Sequence, residues 1–429
     1  MKRTMINKLN QCINEEVLVK GWVHRIRTLS KISFVIIRDR SGIVQCVVEN
    51  QTAGVKGLKH ESVVEIKGKI VGNESVAAGF EMHVSELNVI SLVTEELPIE
   101  VNKEELNINL ETLLNNRVLS LRNLKNNAIF KIQAAIVQGF TNYLAKESFT
   151  QIFTPKIVSE GAEGGTELFQ LDYFSKKAYL AQSPQFYKQM MVGAGYEKVF
   201  EVGHVYRAES HSTKRHINEY VSLDLEMGFI ENELELMELE TALLKHIFSH
   251  INETCSAELE ILEVELPEIG ESIVQMELTE AINILKEHYN KIELEEDLDP
   301  EGEKLISEYV KEKYGSEFVF LTHYPQHKRP MYTMPAENGK TRSFDLLFRG
   351  LEITTGGLRI HQYNELKESI ANRGMNPEKF TTYLEAFKYG MPPHGGLAIG
   401  LERITAMLLG YENIRETTAF PRDKVRLNP

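Results

Sequence analysis

The sequence predicts an α+β protein in two parts: a small N-terminal β-barrel, then a larger domain built on an antiparallel sheet flanked by helices. Three observations carry that reading. Short runs rich in Val, Ile and Phe fill the region from Val17 to about Leu92. A helical pattern follows, with Ile129, Ile132, Ile136, Phe140 and Tyr143 at helix spacing. Beyond it, strands and helices interleave without the regular βαβ spacing of a doubly wound sheet.

The N-terminal runs are VLVKGWVHRI, SFVIIRD, IVQCVVE, SVVEIKGKIVG and FEMHVSELNVI, several of them separated by Gly or Ser-Gly turns. Five short strands in so short a region suggest an OB-fold, the commonest small barrel that binds nucleic acid. A plain barrel without a ligand fits this segment as well. The stretch from Thr94 to Asn123 is polar and poorly periodic and reads as a linker. The expected division is therefore a barrel over 1–95, a hinge over 96–125 and a catalytic domain over 126–429. Within the last, ELELMELETALLKHIF is the clearest helix of an acidic stretch over 231–316, and GGLAIGLERITAMLLG reads as a strand running into a helix.

Composition narrows the function classes. The chain has 429 residues and a formal net charge of −14, which argues against a generic polyanion binder. The charge is unevenly spread, since residues 1–48 hold nine Lys or Arg against Glu15, Glu16 and Asp39. A small basic module thus leads an acidic body, and local potential decides where a polyanion docks. No apolar run approaches the roughly 18 residues of a membrane helix, and the N-terminus lacks the apolar core of a signal peptide. Three widely spaced cysteines (Cys12, Cys46, Cys255) fit a reducing cytosol without disulfides or a zinc site. A cytoplasmic location with no membrane partner is the expectation.

The chemistry concentrates in a few strings. RAESHSTKRHINEY, Arg207 to Tyr220, crowds two arginines, two histidines and a lysine into a loop between two strand-like runs. Arginine forks match phosphate oxygens and keep their charge, so this loop suits a triphosphate. Alone, it fits a solvated loop with surface ion pairs equally well. Asp224 and Glu226 lie two apart on the following strand and share a face. Arg403 sits near a helix start, where Gly395, Gly396 and Gly400 permit close backbone approach and the helix end favours an anion. Glu352 and Thr355 in LEITTGGLR offer hard oxygens to Mg²⁺. GxxxxGK[ST] and a strand-borne GxGxxG are both missing. A nucleotide site here would have to be built from arginines on an antiparallel sheet.

Together these segments resemble a class II aminoacyl-tRNA synthetase, the compact archaeal-like aspartyl branch above all. FTQIFTPKIV, FEVGHVYRAESHSTKRHINEYVSLDLEMGF and GGLAIGLERITAMLLGYENIRETTAFPRD match the family's three motifs in order; EGGTELF, QSPQFYKQ and MPPHGG reinforce them. The resemblance implies ATP held by Arg207, Ala208, Glu209, Arg215, His216, Ile217, Glu352, Gly400, Leu401, Glu402 and Arg403, with Arg207 and Arg403 as the catalytic clamps. It implies an aspartate pocket of Glu167, Gln185, Lys188, Arg207, Asp224, Thr355 and Arg359, and Mg²⁺ on Glu352 and Thr355. Where the family commonly has SSGGQR, this chain has TTGGLR, so Leu358 replaces a hydrogen-bonding glutamine.

The asparaginyl enzyme is the nearest competitor. A lysine at 188 favours aspartate, because a buried ammonium facing an amide would lack its counter-charge. A synthetase-like paralogue that binds RNA or makes an amino-acid amide is the reading from another class. In this family the barrel reads the anticodon, for which Phe34 and Trp22 are candidate stacking residues. His24 stands where members restricted to tRNA-Asp often carry tryptophan, and relaxed members histidine. A second position cited for relaxation, a proline in relaxed members, falls near Ala78 in this chain, so the two signals disagree. The resemblance thus implies tRNA-Asp as partner and leaves tRNA-Asn open as a second one, with a partner amidotransferase needed if tRNA-Asn is charged. The first motif with Pro155 implies a homodimer.

Overall fold

The computed structural model describes residues 1–161, 168–210 and 213–429. The chain forms two compact units, Met1–Leu106 and Asn107–Pro429.

The first unit is a closed barrel of β1 (Glu16–Thr28), β2 (Ile32–Asp39), β3 (Gly42–Glu49), β4 (Val63–Gly72) and β5 (Phe80–Ser91), in the order β1-β2-β3-β5-β4. Alternation builds it: Val17, Val19 and Val23, then Val35 and Ile37, then Val44, Cys46 and Val48 point inward and pack as one core. A 3₁₀ turn, Ile6–Cys12, adds Ile6 and Leu9 to that core. Closure brings backbones together at Gly21, where a Cβ would lie 2.3 Å from the Arg38 carbonyl.

The second unit runs through α1 (Leu110–Asn115), α2 (Arg117–Ser120), α3 (Leu124–Lys146), β6 (Thr150–Gln151), β7 (Ile157–Val158), β8 (Gln170–Tyr173), β9 (Lys176–Leu180), α4 (Gln185–Met191), β10 (Lys198–Tyr206), β11 (Glu219–Gly228), α5 (Leu234–Thr254) and α6 (Ser256–Leu262). It continues through β12 (Val274–Glu277), α7 (Leu278–Tyr289), α8 (Pro300–Tyr314), β13 (Phe318–Thr322), β14 (Ser343–Phe348), β15 (Leu351–Arg359), α9 (Tyr363–Asn372), α10 (Thr381–Lys388), β16 (His394–Gly400) and α11 (Leu401–Leu409). Its main sheet has the order β12-β13-β14-β15-β16-β11-β10-β6. Pairing is antiparallel except at the two edges, β12 with β13 and β10 with β6. One core joins this sheet to α3, α5 and α11: Ile132, Ile136 and Phe140 meet Leu243, Leu244, Ile247, Ile404 and Leu408 over Leu223, Leu225, Leu397 and Ile399. The α3–α5 crossing is tight, with the Cβ position of Gly139 3.0 Å from the Ile247 Cα. The opposite face of β11, β15 and β16 is left for polar residues.

The stretch read as a hinge is structured in part. Ile99 and Val101 are buried, and α1 and α2 lie within the second unit, α1 capped by Asn109. Polar composition hid this, because the anchor is one non-local contact. Arg117, 2% exposed, donates from Nε to the Ala419 carbonyl (2.7 Å) and from Nη2 to those of Glu416 (3.1 Å) and Thr418 (2.7 Å). Burial pushes its pKa down to about 10, opposed by Glu416, so it keeps its charge at neutral pH. Arg117→Ala is expected to cost about 3 kcal/mol or more, because three buried carbonyls lose their donors at 1–3 kcal/mol each. Urea unfolding of the two proteins measures it.

Candidate active site

The β10–β11 hairpin is in register from Lys198↔Met227 to Tyr206↔Glu219. Its loop is closed at the base, where the Arg207 N–H donates to the Asn218 carbonyl (2.9 Å) and Asn218 Nδ2 to the Arg207 carbonyl (2.8 Å). From there the Arg207 guanidinium lies 5.7 Å from the Tyr220 ring centre. Arg215 reaches across to the Glu303 carboxylate on α8. The His216 Nδ1 meets Thr213 Oγ1 at 2.8 Å, and burial, then Arg403, lower its pKa. Glu209 takes a bond from Asn218 Nδ2 on its own carbonyl (3.3 Å), while the Ile217 side chain packs inward with Ala406 and Ile414. Ala208 is half-buried beside them.

The next wall comes from β15 and the β16–α11 turn. Glu352 and Thr355 are three apart, a spacing that regular strand alternation would put on opposite faces. A β-bulge resolves this: Leu346 pairs with Thr354 and Leu347 with Glu352, leaving Ile353 as the extra residue. Ile353 and Thr354 turn toward the helices, and Glu352 and Thr355 toward the cavity. There Thr355 Oγ1 donates to Glu352 Oε1 (2.9 Å). Arg403 Nη1 donates to the Glu352 carbonyl (3.0 Å) and lies 3.5 Å from its carboxylate. Burial raises the Glu352 pKa, but Arg403, the Thr355 hydrogen bond, Arg329 and Arg207 together outweigh it and hold the group below the usual carboxylate range.

Asp345 stands opposite Thr355 in register. Burial pushes it up to about 6, with Arg329, 2.8 Å away, opposing and Glu352 reinforcing the rise. Its Oδ1 is buried without a hydrogen-bond partner. This donor set (the carboxylates of Glu352 and Asp345, the latter with its orphaned Oδ1, and the Thr355 hydroxyl) fits a hard divalent cation.

Beyond the bulge, alternation resumes. Thr355 and Arg359 face the cavity, whereas Leu358 is 6% exposed and packs in the helix-side core. The leucine therefore does not alter the pocket. At the turn, Leu401 belongs to the same core. The Glu402 carboxylate accepts the Val221 N–H (3.1 Å), and burial pushes it up to about 7. Gly400, in extended conformation, is the N-cap of α11.

Between these walls lies a cavity of about 670 Å³. On its floor Lys188 Nζ is 3.0 Å from Asp224 Oδ1 and 3.3 Å from Glu226 Oε2. Arg359 Nε donates to Glu226 Oε1 (2.9 Å) and its Nη2 to the Gly396 carbonyl (2.9 Å). Burial raises the Glu226 pKa, but Arg359 and Lys188 outweigh it and keep the group ionised. Asp224 also accepts from Ser222 Oγ (2.5 Å), and Gln185 Nε2 donates to Gln189 Oε1 (3.0 Å). Glu167 lies outside the described residues.

Two expectations change. Lys188 already has two counter-charges, so its presence alone does not select a carboxylate over an amide. Gly395 and Gly396 serve internal packing rather than ligand approach: a Cβ on Gly396 would lie 2.1 Å from Glu226 Oε2, and one on Gly395 2.8 Å from the Gly357 carbonyl. At Gly400 the nearest contact would be an ordinary 3.6 Å. Sequence reasoning paired Glu226 with Asp224 by face but gave it no role, and it missed Glu303, Arg329 and Asp345. Only the i, i+2 spacing of Asp224 and Glu226 was visible beforehand.

The barrel has its own candidate surface. Trp22 pairs with Arg38, Arg25 with Ile36 and Arg27 with Phe34, and these side chains point away from the barrel core. Aromatic and basic groups side by side suit a single-stranded nucleic acid. His24 is the extra residue of a bulge between Val23 and Arg25 and is 8% exposed. Its Nδ1 accepts from Arg38 Nη1 (3.0 Å), and Arg38 makes a two-pronged ion pair with Glu61. Burial, then Arg38, lowers its pKa to about 4, so the ring is neutral. Ala78 is exposed in the turn between β4 and β5.

Comparison with known proteins agrees with both units. Residues 17–90 match the OB-fold nucleic acid binding domain, and residues 109–424 match the family of class II tRNA synthetases (D, K and N). The chain is a class II tRNA synthetase. The synthetase is 50% identical over 427 residues to an aspartate--tRNA(Asp/Asn) ligase of Thermus thermophilus, covering all of both chains. It is 49% identical to the ligase of the same name from Deinococcus radiodurans, covering 100% of this chain and 99% of that one. Its fold superposes on the asparaginyl-tRNA synthetase of Pyrococcus horikoshii, solved with asparaginyl-adenylate, with a TM-score of 0.92, 30% identity and full coverage of both chains. Among the described residues of the synthetase, no helix is long and apolar enough to cross a membrane.

Proposed function

We propose that the protein is a cytoplasmic aspartate--tRNA ligase that charges tRNA-Asp and also tRNA-Asn. The observation that carries the chemistry is the convergence on one cavity of Arg207, Arg403 and Glu352 with the buried pair Lys188 and Arg359. The full-length likeness to two aspartate--tRNA(Asp/Asn) ligases supports the substrates.

In the reaction, the α-carboxylate of aspartate attacks the α-phosphorus of ATP in line. Charge grows on the phosphoryl oxygens, where Arg207 is fixed to meet it. Pyrophosphate leaves on the side of Arg403. The terminal ribose hydroxyl of the tRNA then attacks the aspartyl carbonyl and releases AMP. Positioning and electrostatics supply most of the rate. Glu209, Arg215 and His216 close over the nucleotide, and Arg359 with Lys188 takes the side-chain carboxylate. Glu352 and Thr355 would hold Mg²⁺, which supplies charge neutralisation at the phosphates when bound.

The second reading is an asparaginyl enzyme. It is favoured by one observation, that Asp224 and Glu226 formally neutralise the two cations of the pocket floor before any substrate enters. A homodimer formed through the segment after α3 is also proposed, supported by the exposure of Phe153 (83%) and Ile157 (49%). Charging of tRNA-Asn implies coupling to an amidotransferase that converts the product.

Transcripts of both tRNAs test the tRNA range. Comparable aspartylation of each is the expected result. Charging of tRNA-Asp alone would remove tRNA-Asn and the amidotransferase from the reading.

A further inference from the structure

The bulge in β15 puts Glu352 and Thr355 on one face, and a bulge needs a reason to stay in place. Its inner side supplies one. Thr354, 1% exposed, donates from Oγ1 to Oε1 of Glu240 on α5, at 2.6 Å. Glu240 is fully buried, and its other oxygen, Oε2, has no hydrogen-bond partner. A carboxyl group in a helix-to-sheet core is costly unless it is neutral or paired. Burial pushes Glu240 up to about 8, with the Thr354 bond opposing, so it stands as a neutral acid at pH 7. The surrounding core of Leu236, Leu243, Leu244 and Ile353 would pack around an apolar residue as well. The polar group therefore calls for an explanation at the strand.

We propose that Glu240 is a positioning residue for the metal-bearing face of the site, acting through Thr354 to hold the β15 bulge. If the bulge slipped by one residue, strand alternation would send Glu352 and Thr355 to opposite faces. The Glu240–Thr354 bond links the helix layer to the residue directly preceding Thr355, and so fixes which face Thr355 takes. Neither Glu240 nor Thr354 lines the cavity. Their effect would pass through backbone geometry, as outer partners of metal ligands do elsewhere.

This inference rests on the reading of Glu352 and Thr355 as Mg²⁺ ligands. Thr354→Val and Glu240→Leu each delete the bond, and Glu240→Gln keeps the acceptor. Calorimetric titration with a non-hydrolysable ATP analogue, with and without Mg²⁺, gives the readout. Thr354→Val and Glu240→Leu are expected to weaken Mg²⁺-dependent nucleotide binding about tenfold. Metal-free binding should be unchanged, and Glu240→Gln should match the wild type. Wild-type-like binding in both deletions would overturn the inference, as would an equal loss with and without metal. A wild-type protein indifferent to Mg²⁺ would overturn the metal reading itself and this inference with it.

Discussion

Arg207→Ala is expected to lower aspartate-dependent ATP–pyrophosphate exchange about a thousandfold or more. The group is asked to stabilise charge that appears on the α-phosphoryl oxygens only in the transition state. Loss of one such fixed donor costs about 10²–10³ in rate, and loss of an arginine at a transferring phosphoryl group about 10³–10⁵. The effect should fall on kcat more than on the KM for ATP, since Glu209, Arg215, His216 and Arg403 remain. The backbone bonds that close the loop, from the Arg207 N–H to Asn218 and back, are kept in the variant. Thermal unfolding should therefore shift little. Exchange within tenfold of the wild type would show that Arg207 is not at the reacting phosphorus.

Arg359→Lys is expected to raise the KM for aspartate about a hundredfold. Arg359 holds Glu226 with Nε, reaches the Gly396 carbonyl with Nη2 and lies 5.2 Å from the Tyr332 ring centre. A lysine keeps the charge but not the fork, so it cannot hold Glu226 and present a flat edge to a second carboxylate together. Arg359→Leu should do more, because it leaves Glu226 buried with Lys188 as its remaining cation. Breaking a buried pair from one side costs about 3–5 kcal/mol. Amino-acid titrations of exchange, with unfolding curves beside them, separate the two effects. Unchanged aspartate KM in Arg359→Lys would remove this residue from the pocket.

The parts legible in the sequence were those written in local patterns. Short runs rich in Val, Ile and Phe from Val17 to about Leu92 predict the barrel, and helix spacing from Ile129 to Tyr143 predicts α3. The Arg207 loop is readable as cationic, and its neighbouring motifs make it read as a phosphate clamp. The rest depends on contacts between distant residues. Arg117 looks like one more charge in a polar stretch, until Ala419, Glu416 and Thr418 fold over it. Glu226 looks like a strand carboxylate, until Arg359 and Lys188 arrive from elsewhere in the chain. The β15 bulge reverses the face assignment that a period of two gives, so Glu352 and Thr355 meet although they are three apart. Leu358, which in a motif comparison looks like a loss to the pocket, points into the core for the same reason. The glycines of GGLAIG suggested ligand approach because a sequence shows a missing side chain but not what fills the space; at Gly396 that is Glu226.

The cavity is expected to activate aspartate. Amino-acid-dependent ATP–pyrophosphate exchange, run with L-aspartate and with L-asparagine in the absence of tRNA, tests it most directly. Exchange with aspartate is expected, with at least a hundredfold lower kcat/KM for asparagine, as the full-length likeness to two aspartate--tRNA(Asp/Asn) ligases supports. Exchange that prefers asparagine, or that runs with neither amino acid, would contradict it.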